Sequence, residues 1–265
     1  MKAFCLLSVV LLMFVLVGCK GEKTPPAGEP TPPLETTEAT PGTEPEEEPA
    51  AEEKKPPEVK LDRIKVDVKA KRITIEGRFC LREGILDYLA VTSGGQEYES
   101  VVALNCKGSL LHAGLLALGA HPGPTQQVID ELKKNPPEGV KIPERPGTTL
   151  RITAEWEKDG KTVSVPASRL LFNRKAKKAQ ATGEWVFTGS YFAKDLDGKT
   201  EFYMADIDKA IIGVFYTASA VINFSEDAGN PYAGDDEGYE VNAELVEPLD
   251  TPIKLVITLA EKAAD

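Results

Sequence analysis

Histidine occurs only twice and cysteine only four times in the 265 residues, so a centre built from several such side chains has few places to form. No Gly-rich phosphate loop, Gly-x-Ser-x-Gly elbow or His-Glu-x-x-His zinc motif occurs, which excludes the enzyme classes that depend on them. Positive charge is also short: 31 Lys and Arg stand against 42 Asp and Glu, for a net charge of −11. Nucleic-acid partners need basic patches that neutralise phosphates, so they are excluded, as is an electrostatic grip on anionic lipid. Long apolar runs are missing too. The most continuous, Leu6 to Val17, holds about a dozen residues, fewer than the ~20 a helix needs to cross a bilayer. No internal repeat is present.

That short run has another use. Lys2 precedes it as a positive n-region, and it ends at Leu16-Val17-Gly18-Cys19, the pattern of a bacterial lipobox. Residues 1–19 are therefore expected to be a lipoprotein signal, cleaved before Cys19, whose thiol takes the lipid. Mature lipoproteins carry two or three acyl chains at roughly 0.8 kcal/mol per buried methylene, enough for permanent anchoring. The position after the cysteine is Lys20 and not the aspartate that retains a lipoprotein at the inner membrane. The expected address is thus the outer membrane facing the periplasm, with the membrane as partner through the anchor.

Residues 20–60 hold ten of the twenty prolines and eleven glutamates against five lysines. Such a stretch cannot bury enough surface to offset its ordering entropy, and reads as a disordered tether. At ~3.1 Å per residue it reaches on the order of 120 Å when stretched. Residues 61–265 form the folded domain. Alternation at Ile64, Val66, Val68, Ile73, Ile75 and Phe79 has the period of strands. Asp159-Gly160 and Asp197-Gly198 mark hairpins: the first joins Leu150–Trp156 to Thr162–Val165, the second Trp185–Phe192 to Glu201–Met204. Ser109 to Leu118 reads as a buried helix capped by Ser109 and closed by Gly119, and Pro124 to Lys134 as a second. Ile253 to Leu259 reads as the closing strand. The expected class is α+β, a mostly antiparallel sheet with one or two short helices.

Four stretches, EGRFCLREGILDYLA (76–90), EYESVVALNCKGSLLHAGLLALGAHPG (97–123), WVFTGSYF (185–192) and YMADIDKAIIGVF (203–215), together resemble the YdjY-domain family of bacterial lipoproteins. The resemblance implies an extracytoplasmic domain of unassigned activity. Some members carry a ferredoxin-like label, but an iron–sulfur cluster needs four thiolates. Once Cys5 leaves with the signal and Cys19 is lipidated, only Cys80 and Cys106 remain. The family pattern also places a second cysteine near Val91, where this chain departs from it. No cofactor is assigned.

Cys80 is expected on the strand Ile73 to Leu81 and Cys106 on the strand Val101 to Cys106. An even count in an oxidising compartment suggests a disulfide, closing a loop of about 25 residues worth roughly 3 kcal/mol. The other reading is two buried thiols acting as small hydrophobes. A sharper alternative joins Cys80, Glu99 and His112 as nucleophile, orienting carboxylate and base, or as zinc ligands. Their spacing matches no local motif, and His112 shares a helix face with Ser109, Leu115 and Leu116, as a core histidine does. His121 reads as a loop residue.

Two carboxylate groups, Asp195-Leu196-Asp197-Gly198 and Asp227, Asn230, Asp235 and Asp236, invite a calcium reading. Neither has the spacing of an EF-hand, and a hairpin turn and a solvated loop explain them. Asp206 and Asp208, expected to point the same way from a strand, make a candidate acid–base pair. Trp156, Trp185, Phe187, Tyr191 and Phe192 read as core, with Tyr191 and Tyr203 free to be exposed. The function expected is a membrane-anchored extracytoplasmic lipoprotein with a non-enzymatic binding or structural domain, its partner an envelope protein or small ligand. The alternative is a cysteine- or metal-dependent enzyme using Cys80, Glu99 and His112.

Overall fold

The computed structural model describes residues 62–260, apart from Val140, Asp227 and Asp235. All lie in the second of the chain's two units, which begins at Lys55. The expected signal, Cys19 and the expected tether fall outside the described residues. Sixteen strands and three helices follow in order: β1 (Ile64–Asp67), β2 (Arg72–Phe79), β3 (Ile85–Leu86), β4 (Tyr88–Thr92), β5 (Ser100–Leu104), α1 (Gly108–Ala117), α2 (Gln126–Lys134), β6 (Thr149–Lys158) and β7 (Lys161–Pro166). The second half continues with β8 (Leu171–Asn173), β9 (Lys178–Ala179), β10 (Trp185–Phe187), β11 (Phe192–Lys194), β12 (Glu201–Tyr203), α3 (Met204–Ile207), β13 (Ala210–Gly213), β14 (Ile222–Phe224), β15 (Tyr239–Val241) and β16 (Pro252–Leu259).

Eight strands close on themselves in the order β2-β16-β6-β10-β14-β13-β4-β5, with β5 returning to β2. The expected α+β sheet with one or two helices is thereby corrected to a mostly β closed barrel with three short helices, of ten, nine and four residues. Closure depends on two long strands that each serve two neighbours. The C-terminal half of β2 pairs with β5 and its N-terminal half with β1. Likewise β6 pairs with β10 near its start and with β7 beyond. Two junctions, β4 with β5 and β13 with β14, are parallel. The chain returns from Thr92 to Ser100 in seven residues, and Gly95 permits this tight path: a Cβ there would meet Thr92 O at 2.9 Å.

Side chains fill the interior. Ile73, Ile75 and Phe79 alternate inward along β2, and Leu150, Ile152, Ala154 and Trp156 along β6. The Phe79 and Trp156 rings meet edge to face at 5.5 Å. An eight-stranded barrel is just wide enough for such filling. Asp159 and Gly160 both take the left-handed backbone (φ 50° and 71°) that a two-residue hairpin turn requires. The second hairpin forms at Asp197-Gly198 as expected, but its first strand is β11. Trp185–Phe187 belongs to the barrel instead, between β6 and β14. Thr125 caps α2 by accepting a hydrogen bond from Val128 N.

Candidate functional site

Cys80 and Cys106 are free thiols, Cys80 half-buried and Cys106 fully buried. The sheet register explains why. Cys80 N donates to Val101 O, whereas Cys106 lies five residues further along the same run, beyond the rung where Gly77 faces Leu104, and bridges Asp62. At ~3.4 Å per residue the two are about 17 Å apart, far beyond the 4.4–6.8 Å between Cα atoms that a disulfide spans. The expected bridge is corrected accordingly. Each thiol donates to a carbonyl instead, Cys80 to Ser100 O and Cys106 to Lys107 O, both at 3.1 Å. Burial pushes both thiols up to about 12, helped at Cys80 by Glu97.

Nor do Cys80, Glu99 and His112 converge. Glu99 precedes β5 and lies beside Asp87 under the Tyr232 hydroxyl. His112 stands on α1, and its Nδ1 is 3.1 Å from Gly189 O and 2.8 Å from the Tyr203 hydroxyl, which itself donates to Gly189 O at 2.9 Å. This geometry puts the proton on Nδ1 and leaves Nε2 basic. Burial lowers the His112 pKa, and the bond to Gly189 partly restores it. Among the described residues no hydrogen bond joins any two members of the trio.

What the structure does assemble is a polar junction around His112. Gly189 and Ser190 are consecutive left-handed residues (φ 86° and 56°) at the base of the β11–β12 hairpin. Ser190 Oγ accepts from Ala205 N at 3.0 Å. Asp206 caps α1: its two oxygens accept from Ser109 N at 2.9 Å and Ser109 Oγ at 2.6 Å. The expected cap, Ser109, is thus corrected from capping residue to capped residue, because Lys107 occupies the cap position without a side-chain bond. Three of the four stretches that carry the family resemblance meet here, through His112, Gly189-Ser190 and Tyr203 with Asp206. Gly108 seats α1 on α3, where a Cβ would come within 2.6 Å of Ala205 Cβ. The signal in the sequence was the Thr-Gly-Ser turn after a strand; its partners are remote and were missed.

Asp206 lies in α3 and Asp208 just past its end, so the expected strand pair is corrected to one capping carboxylate and one exposed one. Asp195 Oδ1 accepts from Lys199 N at 2.9 Å and Thr200 N at 3.2 Å, which makes it a turn residue. Its carboxyl is held down at about 2 by the hydrogen bonds from Thr200 first. Asp227 and Asp235 lie outside the described residues; Asn230 accepts from Tyr232 N, and Asp236 is exposed. Among the described residues no group of three His, Cys, Asp or Glu side chains is placed to hold a metal ion. His121 bonds Thr148 and the Pro146 carbonyl in its loop.

Above the junction, the hairpin departs from the expected core role. Phe192 is 65% exposed and Leu196, at the tip, is fully exposed, with Tyr191, Phe202 and Ile207 also open. On the outside of the barrel wall, a groove of about 560 Å³ runs over Arg63, Lys65, Asp67, Arg72, Glu76 and Lys254. Its charges are of both signs and partly paired, as in Arg63–Glu76 at 3.4 Å. A family model, that of the YdjY domain, matches residues 64–228. No curated protein and no solved structure matches the chain.

Proposed function

We propose that this chain, which belongs to the YdjY-domain family, is a membrane-anchored extracytoplasmic lipoprotein whose barrel binds or supports another envelope component without catalysing a reaction. The observation that carries the anchor is the register of the N-terminal signals: positive residue, apolar run, small residues and Cys19 fall in the order that lipid transfer and cleavage require. The non-enzymatic reading is supported by how the reactive groups are spent. Both thiols are neutral and engaged with carbonyls. Asp206, Ser190 and Tyr203 each hold backbone or a helix end in place. Outward-facing aromatic and aliphatic side chains on the hairpin supply contact surface rather than chemistry.

The anchor is tested by feeding labelled fatty acid to cells making the wild type or Cys19→Ala. Label should enter the wild type alone, and the variant should keep its signal or fail to partition with membranes. Equal incorporation into both proteins would remove the assignment.

A further inference from the structure

Four charged side chains alternate in sign along one rung of the outer barrel wall. Glu76 on β2 faces Lys254 on β16, and Lys254 faces Glu155 on β6. Arg63, just before β1, stands on the other side of Glu76, whose N–H donates to Arg63 O. The adjacent Ile75, Leu255 and Ala154 point into the core, so the charged residues point outward. All four line the groove of about 560 Å³ and a second one beside it of about 630 Å³. Read across the strands at ~4.8 Å intervals, the ladder is plus, minus, plus, minus. Arg63 and Glu76 pair at 3.4 Å, and Glu155 accepts from Ser164 Oγ at 3.3 Å. Among the described residues, Lys254 and Glu155 have no ion pair.

Such a ladder is complementary to itself when reversed. A two-fold axis parallel to the strands, passing between β2 and β16, sets the same face of a second copy opposite with its strand order inverted. Arg63 then meets Glu155 of the second copy and Glu76 meets Lys254 of it, each contact being made twice. The next rung brings Lys65 opposite Thr153 and Thr74 opposite Val256, and the one beyond brings Asp67 opposite Arg151 and Arg72 opposite Thr258. No like charges meet on any of the three. An axis across the strands would instead set each charge of the ladder against its own copy. The ladder sums to zero in a chain of net charge −11, so two copies can approach here without the repulsion that the net charge imposes elsewhere.

We propose that this wall, across β1, β2, β16 and β6, is a self-association surface, on which two copies of the chain meet face to face through reciprocal Arg63–Glu155 and Glu76–Lys254 contacts. Two twisted sheet faces stack with strand directions within about 30° of each other. An axis along the strands permits that stacking, and the long side chains of the ladder bridge a curved wall. Exposed ion pairs are each weak, so the association is weak, sensitive to salt and specified by the order of the charges. No residue of the β11–β12 hairpin lines either groove, so this surface is distinct from the exposed side chains there.

The test is sedimentation equilibrium of the chain 19–265 carrying Cys19→Ser, at up to about 0.5 mM, so the outcome is separate from that of the lipid anchor. This protein should show a monomer–dimer equilibrium whose dissociation constant rises about tenfold or more between about 50 and about 500 mM salt. Lys254→Glu sets like charges together at two contacts and should raise the constant at low salt by about tenfold or more. Adding Glu76→Lys to it makes the ladder plus, plus, minus, minus, which is again complementary when reversed, and should return the constant to within about threefold of its starting value. Inside one chain the double exchange puts like charges side by side, so a ladder that serves only its own sheet gains nothing from it. A monomer at every concentration, a dimer insensitive to Lys254→Glu, or a double variant no tighter than the single one would each overturn the proposal. A monomer in which Lys254→Glu also speeds proteolysis within residues 20–60 would overturn it in favour of that acidic segment as the occupant.

Discussion

The two thiols offer the most direct check on the barrel. Their register separation of about 17 Å leaves no route to a bridge short of breaking β2 from β5. Native protein should therefore carry two unbridged cysteines besides Cys19, with no loss of melting temperature on adding reductant. Reaction rates follow from ionisation. A thiol moved from 9.0 to about 12 has roughly a thousandfold smaller thiolate fraction at neutral pH. Its thiolate is the better nucleophile by a factor set by a Brønsted slope of ~0.4–0.5. Together these make Cys80 about 30- to 60-fold slower to alkylate than an ordinary exposed cysteine, before steric shielding is counted. Cys106 is wholly buried and should react only as fast as the structure opens. Timed alkylation with iodoacetamide, read by intact mass in native buffer and in denaturant, resolves both thiols. Fast labelling of Cys80 near neutral pH, or a native mass two hydrogens short of the reduced form, would refute the reasoning.

Two further substitutions address packing and capping. Asp206→Ala removes the oxygens that cap α1 and should destabilise by about 1 kcal/mol. In a domain near 200 residues that is a fall in melting temperature of about 2–4 °C, and Asp206→Asn, which keeps an acceptor, should lose less by the same thermal melt. Ser168 is fully buried, and among the described residues its Oγ has no hydrogen-bond partner. Ser168→Ala should raise stability in a urea titration by up to about 1 kcal/mol, and a loss of more than that would mean the hydroxyl is satisfied by water.

The sequence made some of this plain and hid the rest for identifiable reasons. Strands β2, β6 and β16 bury alternate residues, so a period of two exposes them to inspection. Asp159-Gly160 announces its turn because both residues must be left-handed. By contrast β4, β5, β13 and β14 are buried on both faces; their apolar runs have no alternation, and nothing local says that β4 lies parallel to β5. Closure of the barrel through β5 and β2 is a nonlocal fact of the same kind. The site divides the same way. His112 was legible as a histidine on a buried helix, yet its partners Gly189 and Tyr203 come from 77 and 91 residues away. Asp206 reaches Ser109 across 97 residues, so a reading confined to the helix's own sequence assigned the cap to the wrong residue.

The packed interior bears on where recognition can occur. Phe79, Phe187 and Trp185 are among the largest side chains fully enclosed in the fold, so the barrel encloses a core, and a partner must be met on its outside. A two-stranded hairpin is marginal by itself in water, and among the described residues β11–β12 pairs with no other strand while exposing Phe192 and Leu196. Leaving those side chains in solvent gives the fold no return, since burying such a residue is worth roughly 1.5–3 kcal/mol. The polar junction beneath offsets this: Tyr203 bonds His112 and Gly189, Ser190 holds the start of α3, and Asp206 ties α3 to α1. A fold that places six directed hydrogen bonds at the base of a hairpin, and leaves Phe192 and Leu196 exposed on it, has fixed those side chains in position without covering them. Such an arrangement fits a surface that another component covers better than it fits a scaffold with no partner.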